Sequence, residues 1–498
     1  MSDRPNIVFL LNDHQVYYRH GWDSSPKIQR PHFDRLASEG VVFNRAYAAC
    51  PLCCPARRTM LTGLFPHNHG ELKNGTNHPF DRETYLDILA EGGYRNYYYG
   101  KWHAGPGTAY DHHCEGFNYP DYNNPYTKPE YHEYLKRRGL PPAEHLIERS
   151  FWGELTYRGQ PTPLRVGKTY KCEMATSTEP ASGVTITPKE THETFFLANL
   201  ACDKLRELAS SKDSRPFALR VDFWGPHQPY FPSQEFADMY NPEDILEYGN
   251  FRDDLKNKPE IYRLDAHFPL NENRRLIVPN PLPWSEWQKV LARAYAHVTM
   301  VDAAGGMILD TLDELGVANN TLVIWTTDHG DALACHGGHF DKSAYMPEEM
   351  IRIPMVIRWP GQIAPGQESN HLVSNLDVAS TILDVAGLPF QNEVDGTSII
   401  PLCEGQTNEW RADLMCETHG HYEDHIGRLL VTARFKYVAN MNQMGELYDL
   451  EEDPYELVNL IDDPAQKNVL SDMKARLWDW QRKTYDSTFA TVVTRLPW

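Results

Sequence analysis

The segment Cys50-Pro-Leu-Cys53-Cys54-Pro-Ala-Arg57-Arg-Thr-Met-Leu-Thr62-Gly63 places three of the chain's nine cysteines within five positions. Cys50 and Cys53 form a C-x-x-C pair, a spacing used by zinc sites and redox disulfides. A structural zinc site needs a second pair to complete four ligands, and the chain has no other C-x-x-C. Elsewhere Asp13, Asp328 and His329 offer two carboxylates and an imidazole, donors suited to a divalent cation such as Ca²⁺, Mg²⁺ or Mn²⁺. Taken alone, Asp13 is equally well a turn or cap residue, so the metal reading rests on the company it keeps. A second set is basic: Arg57, Lys101, His103, His227 and Lys342. One histidine among 22 means little by itself. His227, however, stands in Gly225-Pro-His-Gln-Pro229, where flanking prolines stiffen the loop and suit an imidazole that donates a proton in fixed geometry. Together these groups could clamp a tetrahedral oxyanion.

The elements that must position them follow from periodicity. Ile7–Leu11 is a continuous apolar run, as for a central strand covered on both faces. Pro31–Gly40 has a helix's terminal residues, with Pro near the start and Gly at the end. Strands are expected at Val41–Phe43, Tyr97–Tyr99, Phe217–Phe223, Thr321–Trp325, Ile353–Arg358 and Leu429–Arg434. Helices are expected at Thr84–Glu91, Lys189–Ser210, Ser285–Leu315, Asp377–Gly387 and Asp463–Tyr485. The alternation predicts an α/β fold with a mostly parallel central sheet flanked by helices, plus a smaller C-terminal α+β domain. The expected division is 1–404 and 405–498, with loop insertions at about 104–190 and 231–284. Asp13-His14, Lys101 to His103, His227 and Asp328-His329 each follow a predicted strand, at the edge where open α/β sheets hold their sites.

Composition narrows the class. The chain of 498 residues is 41% hydrophobic and 23% charged, as in globular proteins, and exceeds the size of one usual core. A net charge of −20 argues against nucleic acid as a partner, since phosphate backbones demand surplus Lys and Arg. A local basic cluster can still attract an anionic substrate. No stretch nears the roughly 18 apolar residues that span a bilayer. The irregular cysteine spacings and the polar Asn12-Asp13-His14-Gln15 after the first apolar run point to reduced thiols and a cytoplasmic protein without a signal peptide.

Cys53-x-Pro55-x-Arg57, continued through Leu61-Thr62-Gly63, resembles the signature of type I sulfatases in the alkaline phosphatase superfamily. Gly100-Lys-Trp-His103 is similar to the family's G-K-x-H, Pro226-His-Gln-Pro229 to its P-H-x-P, and Thr327-Asp-His-Gly330 to its D-[HN]-G metal motif. Glu349 to Gly361 resembles its strand before the C-terminal domain. Leu447-Tyr-Asp-Leu-Glu-Glu-Asp-Pro-Tyr-Glu456 with Asn459-Leu460 resembles its C-terminal signature. The ordered series spans nearly the whole chain.

The resemblance implies that Cys53 is oxidised after synthesis to formylglycine by a formylglycine-generating enzyme. The aldehyde would hydrate to a diol, one hydroxyl attacking sulfur with help from a divalent cation. It implies Asp13, modified Cys53, Asp328 and His329 as metal ligands, with His227 and Lys342 serving the leaving group. His103 would take the remaining hydroxyl's proton to release sulfate, and Arg57 and Lys101 would stabilise the developing charge. Where many sulfatases carry two successive aspartates, Asp13 is followed here by His14, as in the choline sulfatase and phosphonate monoester hydrolase branch, which also lacks the second acid. Ca²⁺ is the leading expectation, and the missing carboxylate raises the claim of Mn²⁺, with Mg²⁺ a further alternative and His14 a further candidate ligand. The expected substrate is a small-molecule or carbohydrate sulfate ester. The alternatives are a phosphonate monoester or phosphodiester hydrolase using the same site, and an inactive protein that binds sulfated ligands. A homo-oligomer is compatible with all three.

Overall fold

The structure, a computed structural model, describes residues 4–17, 26–119, 125–150, 156–157, 160–161, 165–172, 181–267, 269–407 and 409–487. Its centre is a sheet of eight strands: β1 (Asn6–Asp13), β2 (Val41–Phe43), β3 (Arg95–Lys101), β4 (Cys114–Tyr119), β5 (Phe217–Pro226), β6 (Thr321–Thr327), β7 (Met355–Arg358) and β8 (Gln367–Ser369). Their spatial order is β8-β2-β7-β6-β1-β5-β3-β4. Strands β6, β1, β5, β3 and β4 run parallel, and only β7 is antiparallel to its neighbours.

The continuous apolar run of β1 has the physical cause expected for it. Alternate side chains point to opposite faces. Val8 and Leu10 join the core under helices α4 (Glu193–Ser210) and α5 (Trp284–Glu314), together with α1 (Pro31–Ser38). Ile7, Phe9 and Leu11 join the other core, under α2 (Cys53–Thr62), α3 (Tyr85–Glu91) and α6 (Val378–Ala386). Thr84 caps α3 through a reciprocal box with Asp87, satisfying two end donors that have no partner within the helix. The predicted strand Ile353–Arg358 is split: Arg352–Ile353 pairs with Ala46–Tyr47, and β7 begins after Pro354, which lacks a ladder donor.

The expectation of a loop insertion at 104–190 is corrected where the structure describes it. The segment supplies the edge strand β4, a helix at Pro129–Arg138 and a three-stranded antiparallel sheet of Ala181–Thr185, Glu144–Ser150 and Thr169–Lys171. Its tyrosines form core: Tyr131 and Tyr134 are buried, and their hydroxyls donate to the Thr191 and Glu190 carbonyls at 2.8 Å each. A tyrosine carries an apolar body and a polar tip, so an apolar periodicity built on tyrosine is faint.

At the C-terminal end, β9 (Asp413–Gly420), β10 (Asp424–Thr432), β11 (Phe435–Asn440) and β12 (Glu446–Asp449) form an antiparallel meander. Helix α7 (Lys467–Lys483) packs Met473 and Leu477 against it. All nine cysteines are buried free thiols. Among the described residues no helix is long and apolar enough to cross a membrane.

Candidate active site

Four adjacent strands end on one edge. In spatial order β6, β1, β5 and β3 deliver Asp328 and His329, Asp13 and His14, His227, and Lys101 with His103. Cys53 comes from above this edge as the first residue of α2, after Leu52 in extended conformation. Pro55 falls in the first helical turn, where a missing N–H costs nothing. Gly63 closes the helix in the left-handed region, at φ 68°, a conformation that favours glycine.

Asp13, Cys53, Asp328 and His329 each offer one ligand atom within 4.8 Å of all the others, and all four are buried. Cys53 Sγ lies 3.1 Å from His329 Nε2 and 3.8 Å from Asp13 Oδ1. His329 Nδ1 is 2.7 Å from the Gly330 carbonyl. That nitrogen carries the proton, which turns the Nε2 lone pair toward the cluster. Burial lowers the His329 pKa, with Lys342 adding to the effect, so the ring is a neutral ligand. Burial disfavours charge on Asp13, but Lys101 and Arg57 outweigh it and hold the carboxyl below its ordinary value. Asp328 is also held low: burial and Asp13 oppose ionisation, and the Arg57 guanidinium overcomes them. Two ionised carboxylates, a neutral imidazole and one further position at Cys53 make a donor set that fits a divalent cation.

Arg57 orients this set. Its guanidinium donates to Asp328 at 2.9 Å, Asp222 at 2.8 Å and Asp13 at 3.1 Å, with no exposed surface. Lys101 Nζ also donates to Asp13 Oδ2 and lies 4.3 Å from the Trp224 ring centre.

Facing the metal set is a second cluster. Lys342 Nζ is 3.2 Å from His227 Nε2 and donates to Asp341 Oδ1 at 2.9 Å. His227 Nδ1 sits 2.6 Å from the Gln228 carbonyl, so its Nε2 is free to accept from the lysine. Burial, then Lys342 and Lys101, push the His227 pKa well down. The imidazole is therefore neutral and the proton resides on Lys342, a distribution the prolines around His227 gave no hint of. His103 is in the left-handed region at φ 43°, with its buried Nδ1 lacking any hydrogen-bond partner. Burial and the cations Lys101, Arg57 and Lys342 keep it neutral too.

His14 divides the two clusters. Its backbone N–H donates to Asp328 Oδ1 at 3.0 Å, and its ring centre is 4.7 Å from those of both His227 and His329. Its nitrogens lie 3.6 Å from Asp331 and 3.4 Å from Asp341, and neither contact has hydrogen-bond geometry. They converge with His227 and Asp341 and stand apart from the four-residue set.

The structure thus brings together every residue singled out in the sequence: Asp13, His14, Cys53, Arg57, Lys101, His103, His227, Asp328, His329 and Lys342. It adds three that sequence reasoning missed. Asp222 anchors Arg57 from β5, Asp341 holds Lys342, and Tyr422 on the β9–β10 hairpin donates to Asp341 Oδ2 at 3.2 Å. Asp341 immediately precedes Lys342, which was a usable signal. Asp222, two residues past Arg220 on a strand, offered none.

The chain matches the sulfatase family over residues 5–388, and over residues 335–483 it matches the family described as N-sulphoglucosamine sulphohydrolase, C-terminal. Among curated proteins it is 24% identical to an N-acetylglucosamine-6-O-sulfatase of Bacteroides thetaiotaomicron, covering 98% of this chain and 88% of that one. It is 26% identical to a choline-sulfatase of Rhizobium meliloti, covering 96% and 88%. Among solved structures it is similar to the phosphonate monoester hydrolase of Agrobacterium radiobacter, with a TM-score of 0.74 and 21% identity over 97% of this chain and 96% of that one. A protein solved in complex with its substrate D-glucosamine-2-N,6-O-disulfate gives a TM-score of 0.71 and 22% identity over 97% and 99%. With three quarters of its length matched by one family and the site built at the matching motifs, the chain belongs to the sulfatase family.

Proposed function

We propose that the chain hydrolyses a sulfate monoester, with Cys53 matured to formylglycine and one divalent cation held by Asp13, residue 53, Asp328 and His329. The carrying observation is the convergence of Cys53 with these three donors directly opposite Lys342, His227 and His103. Burial pushes the Cys53 thiol up to about 12, so an unmodified thiol there would be a poor nucleophile at neutral pH. The cation would supply Lewis-acid polarisation of the sulfate oxygens and of the nucleophile.

The chain's own groups do the rest. Arg57 fixes both metal-binding carboxylates. Lys342, charged and paired with Asp341, holds the sulfate and gives one ammonium proton to the departing alkoxide, regaining it from water, while neutral His227 accepts a hydrogen bond from the ammonium and so aims it. Neutral His103 is the base that takes a proton from residue 53 so that sulfate can be expelled. Ca²⁺ is the proposed ion, with Mn²⁺ the alternative because His14 leaves the site one carboxylate short.

A second reading, hydrolysis of phosphonate monoesters or phosphodiesters, is favoured by the likeness to a phosphonate monoester hydrolase and by the lack of a second carboxylate where His14 follows Asp13. The test co-produces the chain with a formylglycine-generating enzyme. Peptide mapping should show residue 53 as an aldehyde, and sulfate release from 4-nitrophenyl sulfate should exceed turnover of phenyl phosphonate and bis-4-nitrophenyl phosphate. Faster turnover of either phosphorus ester than of every sulfate ester would replace the first reading with the second.

A further inference from the structure

Helix α2 carries two adjacent buried arginines that hold different partners. Arg57 orients the metal-binding carboxylates and also donates through Nη1 to the Lys101 carbonyl at 3.2 Å. Arg58 gives its guanidinium to backbone. Its Nε donates to the Ala104 carbonyl at 2.9 Å and its Nη2 to the His78 carbonyl at 2.8 Å. Its Nη1 donates to the carbonyls of Pro79 at 3.1 Å and His69 at 3.5 Å. Phe80 lies under the guanidinium, with the ring centre 3.6 Å from Cζ. Gly105, at φ 103°, approaches from the other side so closely that a Cβ there would stand 2.5 Å from Nη2. The two arginines thus grip the carbonyls of Lys101 and Ala104, the two ends of the stretch that bears His103.

His103 depends on that grip more than the other histidines of the site do. His227 and His329 are each fixed by a hydrogen bond between Nδ1 and a backbone carbonyl. The buried Nδ1 of His103 has no hydrogen-bond partner among the described residues, so the ring takes its place from the backbone beneath it. That backbone is left-handed, at φ 43°, a conformation costly for a residue with a Cβ and kept only where the surroundings over-determine it. The planar guanidinium, with donors in a rigid fork, supplies such a constraint. Because α2 begins at residue 53, Arg58 ties the base and residue 53 to one rigid element.

We propose, resting on the sulfatase reading, that Arg58 is a positioning residue for sulfate release: by fixing the Ala104 carbonyl it holds His103 against residue 53. In that step His103 takes the proton from the hydroxyl of residue 53 that bears no sulfate. The C=O bond re-forms, the C–O bond to sulfate breaks, and sulfate departs with that electron pair. Cleavage of the ester beforehand is served by Lys342 and His227, which Asp341 and the Gln228 carbonyl hold instead.

The experiment compares the natural chain, Arg58→Lys and Phe80→Leu, each co-produced with a formylglycine-generating enzyme, on 4-nitrophenyl sulfate. If release alone is slowed, kcat and KM fall together, kcat/KM holds, and sulfate accumulates on residue 53. Arg58→Lys keeps the charge but loses the fork. Its kcat and KM should each fall about 10- to 100-fold, the scale of a misplaced catalytic group, with kcat/KM within about threefold. Peptide mass after quenching in mid-turnover should show residue 53 carrying sulfate. Phe80→Leu leaves the four carbonyl contacts in place and removes only the aromatic face, so it should give the same pattern at about two- to fivefold. It carries the test if Arg58→Lys does not fold. In the unmatured proteins, whose residue 53 is still a thiol, hydrogen exchange at Trp102–Gly105 should quicken about tenfold in Arg58→Lys while β1 and β6 keep their rates. A kcat/KM that falls in step with kcat while residue 53 stays free of sulfate overturns the positioning role alone, and so does unchanged exchange at these residues. Turnover of no sulfate ester by the matured natural chain overturns the sulfatase reading and the release step with it.

Discussion

The two buried clusters are built from the same materials and differ in where their cation comes from. On one side two carboxylates and His329 surround Cys53, and the cations that touch them, Arg57 and Lys101, stand behind the carboxylates. Their ligand atoms could hold an ion supplied from outside. On the other side His14, His227 and Asp341 surround a similar space, and Lys342 reaches into it with its own ammonium. A lysine suits this half because its charge can move with a proton, whereas a metal ion's cannot. The first half can stabilise a fixed charge. In the proposed mechanism the second follows a proton as the leaving group departs.

The largest test removes the first half's centre. Cys53→Ser keeps shape and polarity but offers the proposed maturation no thiol to oxidise, and sustained sulfate-ester turnover should fall by about 10⁴-fold or more, the scale of losing a nucleophile. Multiple-turnover kinetics check this. Full activity in the serine variant would equate the position with an ordinary hydroxyl nucleophile.

Lys342→Ala empties the second half. It should lower kcat by about 10²- to 10³-fold for esters of poor leaving groups, and much less for 4-nitrophenyl sulfate, whose phenolate needs no proton. It also removes a charge that depresses His227. The His227 pKa should rise toward its ordinary value, and the kcat/KM profile should gain a limb at mildly acidic pH. A uniform loss across leaving groups would deny the lysine its proton role.

His14→Asp adds a carboxylate on the wall between the halves. It should raise Ca²⁺ affinity relative to Mn²⁺ by about tenfold, the order of an outer-shell ligand change, read by calorimetry on the metal-free protein. An unchanged ratio would separate His14 from metal choice.

The smallest effect sharpens the contrast from outside. His67 meets Glu417 at 2.5 Å, away from Lys101 and Lys342. Although burial opposes its charge, Glu417 raises its pKa to about 9, opposite to His14, His103 and His227 beside Lys101 and Lys342. A raised pKa means stability fully present below the unfolded value of 6.5 and lost as pH climbs through about 9. Glu417 is held well below its ordinary 4.5, so its share is lost only on acidification. The melting-temperature gap between the natural chain and His67→Gln should be widest between about pH 4.5 and 6.5 and shrink steadily from pH 6.5 to about 9. A gap that is flat across this range would mean the pair is not ionised.

Much of this was legible in the chain. Asp13, His14, Lys101, His103, His227, Asp328 and His329 could be named because each follows an apolar strand, and β6, β1, β5 and β3 align those ends by parallel pairing. Cys53 was legible through Pro55 and Arg57. The division of labour was not. Arg57 appeared to be a charge stabiliser, and its saturation by three carboxylates depends on Asp222, 165 positions away. The Lys342–Asp341–Tyr422 chain spans 81 positions between a strap and a hairpin, and no local period records such pairing. The tyrosine-built layer of 125–150 was hidden because its apolar faces carry hydroxyls.

The burial of Cys53, 1% exposed inside a helix with no exposed residue, sets an order of events in the protein's making. The proposed oxidation to formylglycine would require another enzyme to grip the segment from Cys53 to Arg57, which in the finished fold is covered. Under that proposal the modification would belong to the interval between emergence of residues 50–63 and the arrival of β6 and the 329–342 segment some 270 residues later. A chain that folded before that moment would be sealed with its thiol, correctly shaped and unripe.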